Sequence, residues 1–121
     1  MKVLLATDGS DQATTAFRTS SGLLRREDSD FDVLCVVLEF YFPKGQARKM
    51  AKKTARMINA YDQRIRGEAR QHLAHAQATL ATLGIEAGTR VEVGSPARVI
   101  TRLAAEYDIT VIGAHDQYTR S

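Results

Sequence analysis

Val3-Leu4-Leu5-Ala6-Thr7-Asp8-Gly9-Ser10 decides the architecture. Four apolar residues in succession leave no polar face. The run therefore reads as a strand covered on both sides, the habit of a parallel sheet. The turn that closes it offers Ser10 or Asp11 as the cap of a following helix. Ala13, Ala16, Phe17, Ser20, Leu23 and Leu24 recur at helical spacing and predict a helix over about 11–26. Arg25 and Arg26 suit its carboxyl end, where the helix dipole favours cations.

Working outward, FDVLCVVLEF (31–40) is a second, nearly all-apolar strand, ended by Pro43, Lys44 and Gly45. Residues 46–83 favour helix, with Ala69, Leu73, Ala76, Leu80 and Leu83 as the inner stripe, Gly67 as a candidate break and Gly84 as the stop. The first part of that stretch (46–60) is basic with few apolar anchors. Residues 85–93 predict a third strand. Gly94-Ser95-Pro96 opens a helix reaching about Tyr107, with Val99, Ile100, Leu103 and Ala104 inward. Ile109 to Ile112 is a fourth strand, and residues 114–121 form a polar tail. Strands alternating with helices imply βαβ units with right-handed crossovers. The expected fold is a three-layer αβα sandwich around a parallel sheet.

A chain of 121 residues predicts one domain over 1–121. A single cysteine excludes a disulfide framework and any multi-cysteine zinc site. No apolar run is long enough to span a membrane, and the opening one is too short for a signal peptide, so a cytoplasmic location is expected. The net charge of +3 is unevenly spread. Residues 44–70 hold nine Lys or Arg against Asp62 and Glu68. This stretch reads as a solvated helix face or a lid-like segment, with nucleic acid not expected as the main partner. The alternative is an anion- or nucleic-acid-binding adaptor.

In an open parallel sheet, ligands sit beyond the carboxyl ends of the strands, where strand order reverses. Those ends carry Thr7-Asp8-Gly9-Ser10, Val37-Leu38-Glu39, Val93-Gly94-Ser95 and Gly113-Ala114-His115-Asp116. Asp8 and Ser10 stand at a helix amino terminus, a common anion site, although both are also ordinary caps. Asp8, Ser10 and His115 together would suit a slow nucleotide hydrolase, but no G-x-S-x-G or H-E-x-x-H pattern supports catalysis. His72 and His75 could share a helix face for a metal, though a solvated face is the ordinary reading. Cys35 reads as a buried, unreactive thiol.

VLLATDGSDQA, FDVLCVVLE, VEVGSPARVI and YDITVIGAHD, taken in this order, resemble the universal stress protein family. The resemblance implies a fold like that of the adenine nucleotide alpha hydrolases, with strand order 3-2-1-4 here and a fifth strand absent from this chain. It implies that Ala6, Thr7 and Asp8 hold a nucleoside, with Asp8 toward the ribose. By the same resemblance, the backbone of Val36 or Val37 meets adenine and Ile112-Gly113 begins a phosphate loop; His115, from its place just past the fourth strand, reads as a loop residue lining the pocket. That loop reads G-x2-G-x9-G-[ST] in the ATP-binding branch. Gly113 fits its first glycine, Asp116 stands at the second, and the third falls beyond Ser121. Asp116 places a carboxylate where a phosphate would lie, so a nucleoside or AMP is favoured over ATP, and a triphosphate would call for Mg²⁺. The family also implies a non-enzymatic regulatory role in stress response and a homodimer. A missing fifth strand leads to the expectation that the chain is a fragment of a longer product.

Overall fold

The computed structural model describes residues 1–25, 27–38 and 52–113. The elements are β1 (Lys2–Thr7), α1 (Asp11–Leu24), β2 (Asp30–Val37), α2 (Lys52–Ala81), β3 (Ala87–Val93), α3 (Pro96–Ala104) and β4 (Ile109–Gly113). The four strands make one parallel sheet in the order β3-β2-β1-β4. This is the α/β architecture and strand order expected from the sequence. β1 is flanked on both edges, Val3 pairing with Phe31 on one side and Ile109 on the other. That position explains the apolar run between Lys2 and Thr7: Val3, Leu4 and Leu5 are all fully buried.

Alternate strand residues point to opposite faces. Val3, Leu5, Val33 and Cys35 pack with Phe17 of α1 and with the predicted α2 stripe Ala69, Leu73, Ala76 and Leu80. Leu4, Ala6 and Leu34 pack against Val99 and Leu103 of α3. Each fully buried Leu or Phe contributes about 1.5–3 kcal/mol. The steps from β1 to β2 to β3 run one way across the sheet, so right-handed crossovers put α1 and α2 on one face. The step from β3 to β4 runs back past β1 and puts α3 on the other. The reversal falls between β1 and β4.

Several boundaries differ from the sequence reading, each for a local reason. β2 stops at Val37 because β3 ends opposite it at Val93, where the Gly94 N–H donates to the Val37 carbonyl at 2.9 Å. Glu39 and Phe40 lie outside the described residues, as do residues 46–51 and the tail 114–121. α2 runs unbroken through Gly67. β3 starts at Ala87, since the Ile85 N–H is bonded to the Leu80 carbonyl in the turn after α2. The Ser95 hydroxyl makes no capping bond, so Pro96 alone marks the start of α3. On α1 the buried face is Ala13, Phe17 and Ser21, not Ser20, and Leu23 is 80% exposed. Arg25 serves another helix: its Nη1 donates to the Leu83 carbonyl at 2.6 Å, at the end of α2.

A polar network fastens the end of α3 to the sheet. Tyr107 Oη donates to Asp32 Oδ2 at 2.6 Å, and Arg90 Nη1 donates to Tyr107 Oη at 3.3 Å. Arg102 pairs with Glu92 at 3.0 Å. Burial, followed by the bond to Asp32, pushes the Tyr107 hydroxyl above its ordinary pKa. Along α2 the contrast is between its ends: every buried residue lies from Ala69 onward, while Lys52, Lys53, Arg56 and Arg64 are exposed. Lys44, Arg48 and Lys49 lie outside the described residues. Among the described residues there is no fifth strand, and Ile112 on edge strand β4 is 60% exposed. No described helix is long and apolar enough to cross a membrane.

Candidate functional site

The turn after β1 is tied by three short bonds. Thr7 Oγ1 accepts from the Gly9 N–H at 2.9 Å, and Asp8 Oδ1 accepts from the Ser10 N–H at 2.9 Å. Ser10 Oγ accepts from the Ala13 N–H at 3.1 Å and so acts as the N-cap of α1. Gly9 has φ +83°, a conformation side chains rarely adopt, and the imidazole of His72 occupies the space a Cβ would need. The Asp8 carboxylate is thereby fixed at the strand end.

Gly113 faces this turn, paired with Thr7 across β1 and β4. A Cβ at Gly113 would lie 2.7 Å from Ala13 Cα and 3.0 Å from Phe17 Cε1. Glycine is thus demanded here by the packing of α1 on β4. The residue that matches a phosphate-loop glycine has a packing cause of its own.

Ala6, Thr7, Asp8, Val36, Ile112 and Gly113 line one shallow crevice of about 90 Å³ on the α3 face. Pro96 and Ile100 of α3 close its side. Six of the nine residues singled out from sequence therefore converge. Ser10 does not line it, its oxygen being held as a helix cap. Val37 points to the other face and lines a different cavity. His115 lies outside the described residues, as does Asp116.

That second cavity, about 250 Å³, sits behind the crevice on the α2 face. Asp8 and Val36 are common to both. Its remaining walls come from the end of β2 and from Tyr61, Ile65, Glu68, Ala69 and His72 of α2. Here the structure corrects the reading of His72, which packs against Gly9 rather than lying on a solvated face. His75 is exposed, so the two histidines do not act together. Among the described residues no three His, Cys, Asp or Glu side chains come close enough to hold a metal. The available signal for His72 was its place on the extended Ala69–Leu73–Ala76 stripe, where a polar residue interrupts an inward face. Burial, then the nearby Asp8 carboxylate, pushes the Cys35 thiol above its ordinary pKa. It is a protonated core residue, a poor nucleophile.

Two larger open grooves, about 600 and 460 Å³, lie around Gly84, Ile85 and Glu86 at the amino ends of β2 and β3. They face away from the switch point, where this class of sheet binds ligands.

The universal stress protein family model matches residues 1–121. The fold is shared with a universal stress protein family member from Burkholderia pseudomallei, at 24% identity and TM-score 0.66, covering 94% of this chain and 81% of that one. It is also shared with UspA from Lactobacillus plantarum, at 19% identity and TM-score 0.70, covering 100% and 83%. A universal stress protein family protein from Arabidopsis thaliana, whose structure has AMP bound, is 18% identical with TM-score 0.58, covering 100% and 81%. No curated protein matches the chain significantly. The family model spans the whole chain and the strand order agrees with it, so the chain belongs to the universal stress protein family.

Proposed function

We propose that residues 1–121 act as one non-catalytic regulatory domain that binds an adenine nucleoside or AMP in the crevice between β1 and β4. The observation that carries this reading is the convergence of Asp8, Val36 and Gly113 on one crevice at the topological switch point. A family relative with AMP bound supports the choice of ligand. Asp8 lines the crevice from a turn tied by backbone hydrogen bonds, as a group accepting from ribose hydroxyls requires. The crevice is too small to enclose a nucleotide, so base and ribose would lie across the rim with the phosphate toward solvent. ATP would meet Asp116 in sequence position and need Mg²⁺. A hydrolase using Asp8, Ser10 and His115 is the lesser reading, because Ser10 Oγ is committed to the α1 cap. The domain is expected to work in the cytoplasm as a homodimer.

The test is ligand-induced stabilisation. AMP at a hundredfold excess over Kd should add about 2.7 kcal/mol, read as a rise in Tm. Asp8→Asn keeps an oxygen for the Ser10 N–H but loses the charge. It should weaken AMP at least about tenfold, since a hydrogen bond to a charged group contributes about 1.5–3 kcal/mol. Asp116→Gly should strengthen ATP more than AMP. An unmoved Tm with millimolar AMP, or phosphate release from ATP that Asp8→Asn abolishes, would overturn the reading.

The exposed basic half of α2 favours a second reading, an adaptor for an anionic partner. It requires binding to single-stranded nucleic acid that weakens steeply with salt.

A further inference from the structure

We propose that His72 of α2 is a positioning residue for the crevice: its imidazole, pressed on Gly9 from the α2 face, presets the turn that aims Thr7 and Asp8 at a ligand. This role rests on the nucleotide reading of the crevice. Thr7 and Asp8 are the two polar side chains among its lining residues. Each is held by a backbone N–H on one side of Gly9 Cα. Thr7 Oγ1 accepts from the N–H of Gly9 itself, and Asp8 Oδ1 accepts from that of Ser10. Rotation about the two backbone bonds at Gly9 Cα therefore sets one side chain against the other. Glycine is the residue least able to hold such a setting, because it has no Cβ to restrict those rotations.

His72 supplies the missing restriction. Its Nδ1, Cγ and Cε1 atoms lie at almost equal distances from the point a Cβ on Gly9 would occupy. Three atoms of a flat ring are equidistant from a point outside the ring only when that point lies over its face. The imidazole thus covers Gly9 with its face, on the side where other residues carry Cβ. Its footing is firm, since Ala69, Leu73 and Ala76 beside it on α2 are buried in the core. Val37, Leu38, Ile65 and Ala69 give the rear cavity apolar walls. A ring swung into that cavity would set its nitrogens against side chains that cannot bond them. The setting reaches the ligand as affinity, because a site whose competent arrangement is only partly populated binds more weakly by that fraction.

The test compares His72→Ala, which removes the ring, with His72→Phe, which returns a flat face without the nitrogens. Each is titrated with AMP and with dideoxy-AMP, which lacks the ribose hydroxyls that Asp8 would meet. His72→Ala should bind AMP about fivefold more weakly, with dideoxy-AMP weakened less than about twofold, and His72→Phe should restore the AMP affinity. A general loss of stability would move both ligands alike. Without ligand, amide hydrogen exchange is read at Gly9 and Ser10. The Asp108 N–H, bonded to the Lys2 carbonyl at the far end of β1, is the reference for unfolding of the whole domain. Relative to Asp108, exchange at Gly9 and Ser10 should quicken in His72→Ala and return to the wild-type rate in His72→Phe. The proposal is overturned if His72→Ala leaves both amides unchanged, if the two ligands weaken together, or if His72→Phe, folded by the Asp108 reference, behaves as the alanine variant does. A wild type that binds no AMP sinks the nucleotide reading, and the ligand half of this role with it. Unchanged exchange in His72→Ala beside intact wild-type AMP binding sinks the positioning role alone.

Discussion

The front crevice and the rear cavity share Asp8 and Val36, yet they are built from different materials. The front is a product of strand ends and turns: β1 and β4 meet at Thr7 and Gly113, and α1 presses on Gly113 with its backbone. The rear is a product of side chains, projected from α2 across the sheet. Main chain cannot step aside without moving whole elements, whereas an imidazole can rotate. The front should therefore be intolerant of substitution and the rear adaptable.

The largest effect expected from this contrast is at Gly113. A methyl there meets Ala13 Cα at 2.7 Å, and the neighbour is backbone. Gly113→Ala should cost about 2–3 kcal/mol, typical of overpacking with no route to relief. Urea unfolding should show a lower midpoint with an unchanged slope. A loss under about 0.5 kcal/mol, the ordinary scale for surface positions, would mean that α1 yields and that the front is softer than its geometry implies.

Gly9 probes the rear in the same way and should answer differently. Gly9→Ala incurs the left-handed backbone penalty of about 1–2 kcal/mol and also meets the His72 ring. Only the second part can be relieved from outside. In the His72→Ala background the same substitution should cost about 1 kcal/mol less, a coupling of the size contacting residues show in double-mutant cycles. Strict additivity would place the His72 ring away from Gly9 and remove the distinction between the two walls.

The same contrast governs how much was legible in the sequence. The front is written in contiguous pieces: Ala6-Thr7-Asp8 and Ile112-Gly113 each lie at a strand end, so a strand reading puts them on the rim at once. The order of strands followed from pieces that resembled one family. The rear owes one wall to residues more than 20 positions past the end of β2, a strip of α2. Helical periodicity marked Ala69 and Leu73 as inward, but it cannot say how far along a 30-residue helix the sheet extends. His72 and Glu68 fall where the buried stripe gives way to solvent, and only the packing distance decides that they line a cavity. Element ends were misplaced for a related reason. β2 has apolar sequence beyond Val37 but no partner beyond Val93, and a strand ends where its ladder ends.

Cys35 gives the smallest and most selective test, because it lies on the rear floor and senses Asp8 through space. Its folded-state pKa is raised, by burial first and by the Asp8 carboxylate second. The unfolded thiol titrates near its ordinary value of about 8.5. Between that value and the higher folded one, the native state holds a proton that the unfolded state has released. Stability must then fall as pH rises through this window, and below it the thiol contributes no pH dependence. Lysine and tyrosine titrations overlap at higher pH, so the informative quantity is the difference between the wild type and Cys35→Val from pH 8 to 10. The wild type should lose more stability over that range, and the excess should shrink when Asp8→Asn removes the second cause while burial keeps most of it. An excess that vanished entirely with Asp8→Asn would reverse the ranking of the two causes. The rear floor would then be wet enough to solvate a thiolate, and the apolar wall assigned to it would not exist.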